Sequence, residues 1–508
     1  MAAWTKVVRT MEWNQRISEL NESMNIAIIG GGLSGLSTSV HIRLLAQKQN
    51  KSVPNITLFE TSDRLGGVIH TETLTDDHGR TFVIDHGADM FATAPSAAID
   101  LCEQLGVADQ LLRPSPLGRG AMIARGNRLI PIPEGFVLMR PTKLGSMLTT
   151  PLLSLSGKLR LLQERFITRR ADSVTDESVG SFVRRRLGNE CLDNIVAPLV
   201  AGIYTADVDR LSMAATMKPI WDMETNDGSL AKATLRRIRT GEDSTEQASS
   251  GARYEKFRAF PNGMKQWIDT LADFTGRENI RLNTAVRSIV PLPGNRYQLN
   301  VEPETDGQAS DEFDQVVVST PAHVAAALLQ PLSDEAASTL RSIPFASTAI
   351  VVMAVRRDCI SRLPTTFGFV VPPKENRRVL AGSFASTKFP QRAPDDYVIV
   401  RAFVGGVMQP EILERSDDEI VNVVRSELGD LIGLDQTQSL EDITATVKVV
   451  RWNDAMPQYE VGHLDKVQRI RAAVESLEGL HLNTNALGGV GIAPVIAASK
   501  RTAERILK

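Results

Sequence analysis

Hydrophobic residues fall into two rhythms along this chain. Residues 25–29 read NIAII, a short apolar run that predicts a buried strand. The run enters Gly30-Gly31-Gly32-Leu33-Ser34-Gly35, after which Leu36, Val40 and Leu44 recur at helical spacing. Residues 56–59 predict a second strand, ending at Glu60. A helix is predicted over 96–112 from Ile99, Leu101, Leu105, Leu111 and Leu112. Met122-Ile123 and Leu129 to Ile132 flank Gly126-Asn127 as a hairpin. From 140 to 235 the period is helical, and Ser156 is the expected cap of a helix with Leu159, Leu162 and Phe166 on one face. Residues 240–252, TGEDSTEQASSGA, predict a polar loop. Trp267, Ile268 and Leu271 mark another helix. Strands are predicted at 280–283, 285–289, 297–301 and 316–319. Short β-branched and aromatic runs from 345 to 440 predict a mixed sheet. The run LHL near 481 leads through a glycine-rich turn to a helix beginning about Ile492.

Composition narrows the classes. A chain of 508 residues with 42% hydrophobic residues can bury large cores in two or three domains. Its 60 acidic and 57 basic residues nearly cancel, unlike the strong positive balance of a nucleic-acid binder. Cys102, Cys191 and Cys359 are far apart, which argues against a disulfide scaffold, an iron–sulfur cluster or a cysteine-rich zinc site. The histidines are scattered, so no metal site is expected. Residues 1–23 lack an export signal's apolar run, and a disordered extension or a start assigned upstream of Met24 is expected. No apolar stretch reaches the roughly 18 residues that a membrane span needs. Arg160, Arg165, Arg169 and Arg170 beside the apolar helical pattern suggest peripheral contact with a membrane, against the alternative of a solvated helix covering a core. The expected location is the cytoplasm, with that contact on the inner face of the cytoplasmic membrane.

The strand–glycine turn–helix unit carries the first chemistry. Gly30 permits a tight turn, Gly32 lets a backbone approach a pyrophosphate, and Gly35 lets helix and strand pack closely. The helix N-terminus offers unpaired N–H groups to phosphates. Glu60 stands where an acid accepts ribose hydroxyls. A purely structural glycine turn is the alternative. Beyond Glu60, Arg64 can carry charge to a pyrophosphate, and Gly66 and Gly67 leave space for an extended cofactor. At the far end, Arg451-Trp452-Asn453-Asp454-Ala455-Met456-Pro457-Gln458-Tyr459 precedes Val461-Gly462-His463, and Gly488, Gly489 and Gly491 allow close approach.

Glu60 to Gly67, ExxxRxGG after GxGxxG, resembles the FAD domain shared by amine oxidases, phytoene desaturases and porphyrinogen oxidases. RWNDAMPQYEVGH resembles the W..A.PQY..GH signature of oxygen-dependent porphyrinogen oxidases, and the similarity spans about 24–508. The resemblance implies an α/β chain with a Rossmann-type FAD-binding domain in three segments, 24–118, 257–330 and 445–508. The substrate-binding region would be 119–256 and 331–444, a mixed sheet with a helical insertion at 140–235. Gly30, Gly32, Gly35, Glu60, Arg64, Gly67, Val286, Trp452, Val490, Gly491 and Ile492 fall on FAD-binding positions of the family. FPNGM carries Asn262 where the family has glycine, and Pro494 is displaced by one from the family's GVGIPDC. The terminal motif has no cysteine, so FAD is expected to be non-covalent. The implied reaction removes six hydrogens from a porphyrinogen in three two-electron steps, with dioxygen as acceptor and hydrogen peroxide as product. Protoporphyrinogen IX is the favoured substrate and coproporphyrinogen III the alternative. Asp89 matches an active-site asparagine of the plant form, and would steer a pyrrole N–H or cap a turn. Arg119 and Arg125 are the candidates for the propionates. The rivals are an amine oxidase, a carotenoid desaturase and a non-enzymatic FAD-binding scaffold.

Overall fold

The computed structural model describes residues 24–116, 120–137, 139–241, 256–303 and 312–508, so the expectations for residues 1–23 and for Arg119 lie outside the described residues. Five parallel strands form the first sheet, in spatial order Ile280–Arg281, Asn55–Phe59, Asn25–Ile29, Gln315–Val318 and Leu480–Leu482. Strand residues alternate between two helical layers, which is why NIAII has no polar gap. Ile26 and Ile28 pack with Leu36, Val40, Trp267 and Ile496, from helices Leu33–Lys48, Lys265–Thr275 and Ile492–Ile506. Ala27 and Ile29 pack on the other side with Ala325, Leu340 and Ile470. Strand order reverses around the central strand, and a cleft at the carboxyl ends of such strands is the usual place for a ligand in an open α/β sheet.

A second sheet has seven strands, in the order Thr444–Pro457, Phe345–Arg356, Tyr397–Gly405, Val379–Phe384, Gly368–Val370, Met122–Arg125 and Arg128–Pro131. All neighbours are antiparallel except Gly368–Val370 with Met122–Arg125. Helix Asp417–Ile432, with a Ser416/Glu419 capping box, covers one face. Phe82 and Ile84 pack against the other. Residues 444–457, expected from 445 onward in the cofactor domain, pair with Phe345–Arg356 as an edge strand of this second sheet. Helix Asp334–Arg341, placed by sequence in the substrate region, packs instead on the first sheet. Hydrophobic patterning alone cannot tell which of two sheets a strand joins.

Helices from Leu144–Thr149 to Leu230–Thr240 enclose a third core around Phe182, Leu192, Ile195 and Trp221. The cap is Ser154, whose hydroxyl accepts from the Gly157 N–H at 3.1 Å, and not Ser156. That helix ends at Leu162, and Phe166 sits on a following 3-10 turn. The helix expected over 96–112 stops at Gln104, where Gly106 turns into positive φ. Two of the four arginines expected to be basic flanks, Arg160 and Arg170, serve as internal braces, while Arg169 stays exposed. Arg160 donates to the Arg184, Arg185 and Arg186 carbonyls, Arg169 pairs with Asp172, and Arg170 with the fully buried Glu224. Among the described residues, no helix is long and apolar enough to cross a membrane.

Candidate active site and cofactor cleft

Two glycine loops meet at the carboxyl end of the first sheet. The Gly31 carbonyl accepts from the Gly66 N–H at 2.9 Å, and a β-bridge joins Gly32 to Gly66. Gly30, at φ +111°, lies so close to the end of the neighbouring strand that a Cβ would stand 2.8 Å from the Ser319 oxygen. A Cβ on Gly35 would reach 2.0 Å from the Gly30 oxygen. Gly32 differs: a Cβ there would meet nothing within 4 Å, and one on Gly67 would meet only the Gly32 Cα at 3.7 Å. The first two glycines are therefore required by packing, and the second two border open space. Helix Leu33–Lys48 begins at this opening with no side-chain cap and no acid in its first turn.

Glu60 closes one side of the opening. Its Oε2 accepts from the Gly31 N–H at 2.7 Å, and its Oε1 from the Ser62 N–H and hydroxyl. The Thr284 N–H donates to the Glu60 carbonyl at 2.9 Å, which brings the start of the strand bearing Val286 beside the acid. Arg64 is exposed, and its guanidinium donates to the Gly67 carbonyl at 2.9 Å.

The far end of the chain joins the near end through a buried polar knot. The Asn483 amide donates to the Thr38 and Ser499 hydroxyls, each at 3.0 Å, while the Ser34 hydroxyl donates to the Asn483 carbonyl at 2.7 Å. This knot holds helix Ile492–Ile506 against helix Leu33–Lys48. The terminal helix is also uncapped by any side chain and has no acid in its first turn. Val490, Gly491 and Ile492 lie at its start, and Gly489 at φ +115° turns past Pro494, whose Cβ leaves no room for a side chain there.

Trp452 and Asp89 meet on a third wall. The Trp452 Nε1–H donates to the His86 carbonyl at 3.2 Å, and its ring packs on Gly87. Asp89 is held by two buried cations. Its Oδ2 lies 2.7 Å from Lys388 Nζ and 3.1 Å from Arg401 Nη1, and all three residues are buried. Arg401 also donates to the Gly87 carbonyl. Asp85 and Arg392, 3.2 Å apart, complete a cluster of three buried cations and two carboxylates. Burial alone would raise the Asp89 pKa, but Lys388 and Arg401 outweigh it and hold the carboxyl far below the ordinary range. Arg125 is exposed at the end of its strand and donates to the Pro151 carbonyl, so it braces the loop before helix Leu155–Leu162. Sequence reasoning missed Asn483, Lys388, Arg392 and Arg401. No local motif marks them, because each acts on a partner more than 250 positions away in the chain or, for Asn483, both near and far.

Residues 33–507 match the family of flavin containing amine oxidoreductases. The chain belongs to that family. This flavin-containing oxidoreductase uses FAD, and the residues around the opening suit a dinucleotide: unfilled space over Gly32 and Gly67, two uncapped helix starts and an acid at position 60. It is 28% identical over 477 residues to the coproporphyrinogen III oxidase of Bacillus subtilis (strain 168), covering 94% of this chain and 96% of the relative. It is 29% identical over 489 residues to the chloroplastic protoporphyrinogen oxidase 1 of Arabidopsis thaliana, covering 94% of this chain and 86% of that one. A solved structure from Exiguobacterium sp. 255-15, provisionally named a protoporphyrinogen oxidase, superposes with a TM-score of 0.78 at 28% identity, covering 96% of this chain and 99% of that one.

Proposed function

We propose that this flavoprotein oxidises a porphyrinogen to the porphyrin, with protoporphyrinogen IX as substrate and dioxygen as final acceptor. The observation that carries the proposal is near-full-length similarity to enzymes named for that chemistry. The balance is six hydrogens lost from the macrocycle and three dioxygen molecules reduced to three hydrogen peroxide. Coproporphyrinogen III is the second reading, because relatives named for it align over as much of this chain. Anaerobic mixing of the FAD-loaded protein with each porphyrinogen is expected to bleach the flavin absorbance, and the ratio of rates assigns the substrate. If neither porphyrinogen bleaches the flavin, the proposal fails.

When bound, FAD supplies a two-electron acceptor. Gly32 and Gly67 would admit its pyrophosphate, and the start of helix Leu33–Lys48 would direct N–H groups at the phosphates. Glu60 would accept from the ribose hydroxyls while keeping its hold on the Gly31 N–H. The Val286 backbone would border the adenine. Trp452, Val490, Gly491 and Ile492 would border the ring system. Arg64 would add positive charge near the phosphates, with Gly66 keeping the loop close. Asp89, already held by Lys388 and Arg401, would fix the wall beside Gly87 and leave substrate contact to other groups. The macrocycle gains aromaticity, so its C–H and N–H bonds need no strong protein base.

We also propose that the helical layer rests on the inner face of the cytoplasmic membrane. Leu155 is 80% exposed, Leu159 62% and Phe166 73%, and Leu162 is exposed beside them. Arg165 lies over the Phe166 ring at 4.6 Å, so an anionic surface would meet an apolar ridge with a cation on it. The ridge would supply most of the contact, since Arg160 and Arg170 are engaged internally and Arg169 is paired with Asp172. The protein is expected to float with anionic liposomes, and L155D/F166D to stay in the dense fraction. Wild-type protein that does not float would end this proposal.

A further inference from the structure

Tyr459 is buried, and its hydroxyl lies between Asn485 and Gly489 beside the cofactor cleft. The hydroxyl donates to the Asn485 carbonyl and accepts from the Gly489 N–H at 3.0 Å. Those two groups bracket the turn 485–489, which delivers the chain to Val490, Gly491 and the start of the terminal helix. Desolvation holds the phenol protonated, well above its ordinary pKa, so it remains a donor throughout the working pH range. His463 stacks on the same ring at 4.2 Å, with 15° between planes, and fixes its tilt. Burial lowers the His463 pKa to about 4, which keeps that imidazole neutral against the phenol.

The backbone around Tyr459 is tied in the opposite direction. Its carbonyl accepts from the Ser212 N–H at 2.7 Å, and the Val461 N–H donates to the Arg210 carbonyl at 2.9 Å. Arg210 and Glu460 form an ion pair at 2.7 Å. Asp176 accepts from the Ser212 hydroxyl at 2.7 Å and from the Gly462 N–H at 3.1 Å. The Gln458 amide donates to the Tyr204 carbonyl at 3.2 Å. Tyr204 ends helix Ala197–Tyr204, and residues 176, 210 and 212 lie in the loops that join helices of that layer. Segment 458–462 is thus bolted to that layer by its backbone and flanking side chains, and to the glycine turn by one hydroxyl.

We propose that Tyr459 is a positioning residue for the flavin: it transmits the order of the helical layer to the turn that presents Val490, Gly491 and the terminal helix start to FAD. The inference rests on FAD binding at that turn and not on which substrate is oxidised. Y459F keeps the ring, the stacking and the volume, and removes only the hydroxyl. Its FAD dissociation constant, titrated on apoprotein without substrate, is expected to rise about tenfold, the loss expected when one or two hydrogen bonds go. The visible circular dichroism of its bound flavin is expected to shift, because the turn no longer holds one orientation. H463N, which removes the stacking partner and the imidazole's hydrogen bond to the Ala486 backbone but keeps the Tyr459 hydroxyl, is expected to weaken FAD less, about threefold by the same scale. A lowered melting temperature in Y459F with unchanged FAD affinity and unchanged flavin dichroism would assign the tyrosine to folding alone and overturn the proposal. If Y459F does not fold, H463N with wild-type affinity and dichroism overturns it. Porphyrinogen turnover enters neither measurement, so failure of the substrate assignment leaves this result standing.

Discussion

Gly35→Ala is expected to yield a colourless protein, with FAD affinity reduced by about 100-fold or more. The added methyl would stand 2.0 Å from the Gly30 oxygen and 3.2 Å from the Ile28 side chain. Neither can yield easily, since one is backbone in the tight turn and the other is fully buried beneath the helix. Relief requires helix Leu33–Lys48 to lift off the strand, and overpacking of this kind costs about 1–3 kcal/mol or more. A displacement worth about 3 kcal/mol in cofactor binding is the hundredfold loss. Gly32→Ala is the informative partner. Its methyl meets nothing within 4 Å, so the melting temperature of the apoprotein should hold. FAD binding should still fall, because the methyl occupies the space a pyrophosphate would approach. Titration of both apoproteins with FAD, alongside thermal melts, separates the two effects. Wild-type affinity in G32A would remove the phosphate cradle from this account, and wild-type affinity in G35A would remove the packing argument.

Asp89→Ala is expected to cost about 3–5 kcal/mol of stability at neutral pH, the usual scale for stranding buried charge. Lys388 and Arg401 would lose their shared carboxylate, and Asp85 would face three buried cations alone. The pH dependence follows from the depressed pKa of Asp89. A carboxyl that titrates lower when folded contributes its full stability above its unfolded value, near 4, and loses it progressively as pH falls below that value. The wild-type protein should therefore lose stability on acidification partly through Asp89, and the variant should show a shallower acid limb. Urea midpoints from pH 7 down to pH 3 test both statements. An unchanged midpoint at pH 7 would mean that the cluster is compensated elsewhere.

The parts of the cleft that were legible in the sequence are those whose chemistry is local. A strand, a glycine turn and a helix lie within 25 residues, so Gly30 could be assigned to the tight turn and Gly35 to close helix–strand packing before any geometry was known, and the structure gives each a specific clash. The glycine-rich turn before Ile492 was legible for the same reason. The sheet order was not, because Ile280–Arg281 and Leu480–Leu482 are too short to announce their partners. Edge strand Thr444–Pro457 could not be assigned to a sheet by pattern alone, since only its pairing with Phe345–Arg356 shows which sheet it joins. Asp89 was visible as an acid after a strand, but its partners Lys388 and Arg401 lie about 300 positions away. Basic composition does not reveal pairing: Arg160 and Arg170 count as surface charge in a sequence, yet both are engaged within the helical layer, while Arg169 stays exposed.

The first sheet takes its strands from residues as far apart as Asn25 and Leu482, and its knot needs Ser499. During synthesis, the opening half of this sheet must wait on the ribosome with its apolar faces only partly covered. The nascent chain cannot assemble the full cleft until helix Ile492–Ile506 emerges, so cofactor capture must wait for that helix. Cells making this protein faster than flavin and chaperones can attend to it should accumulate aggregate before they accumulate apoenzyme.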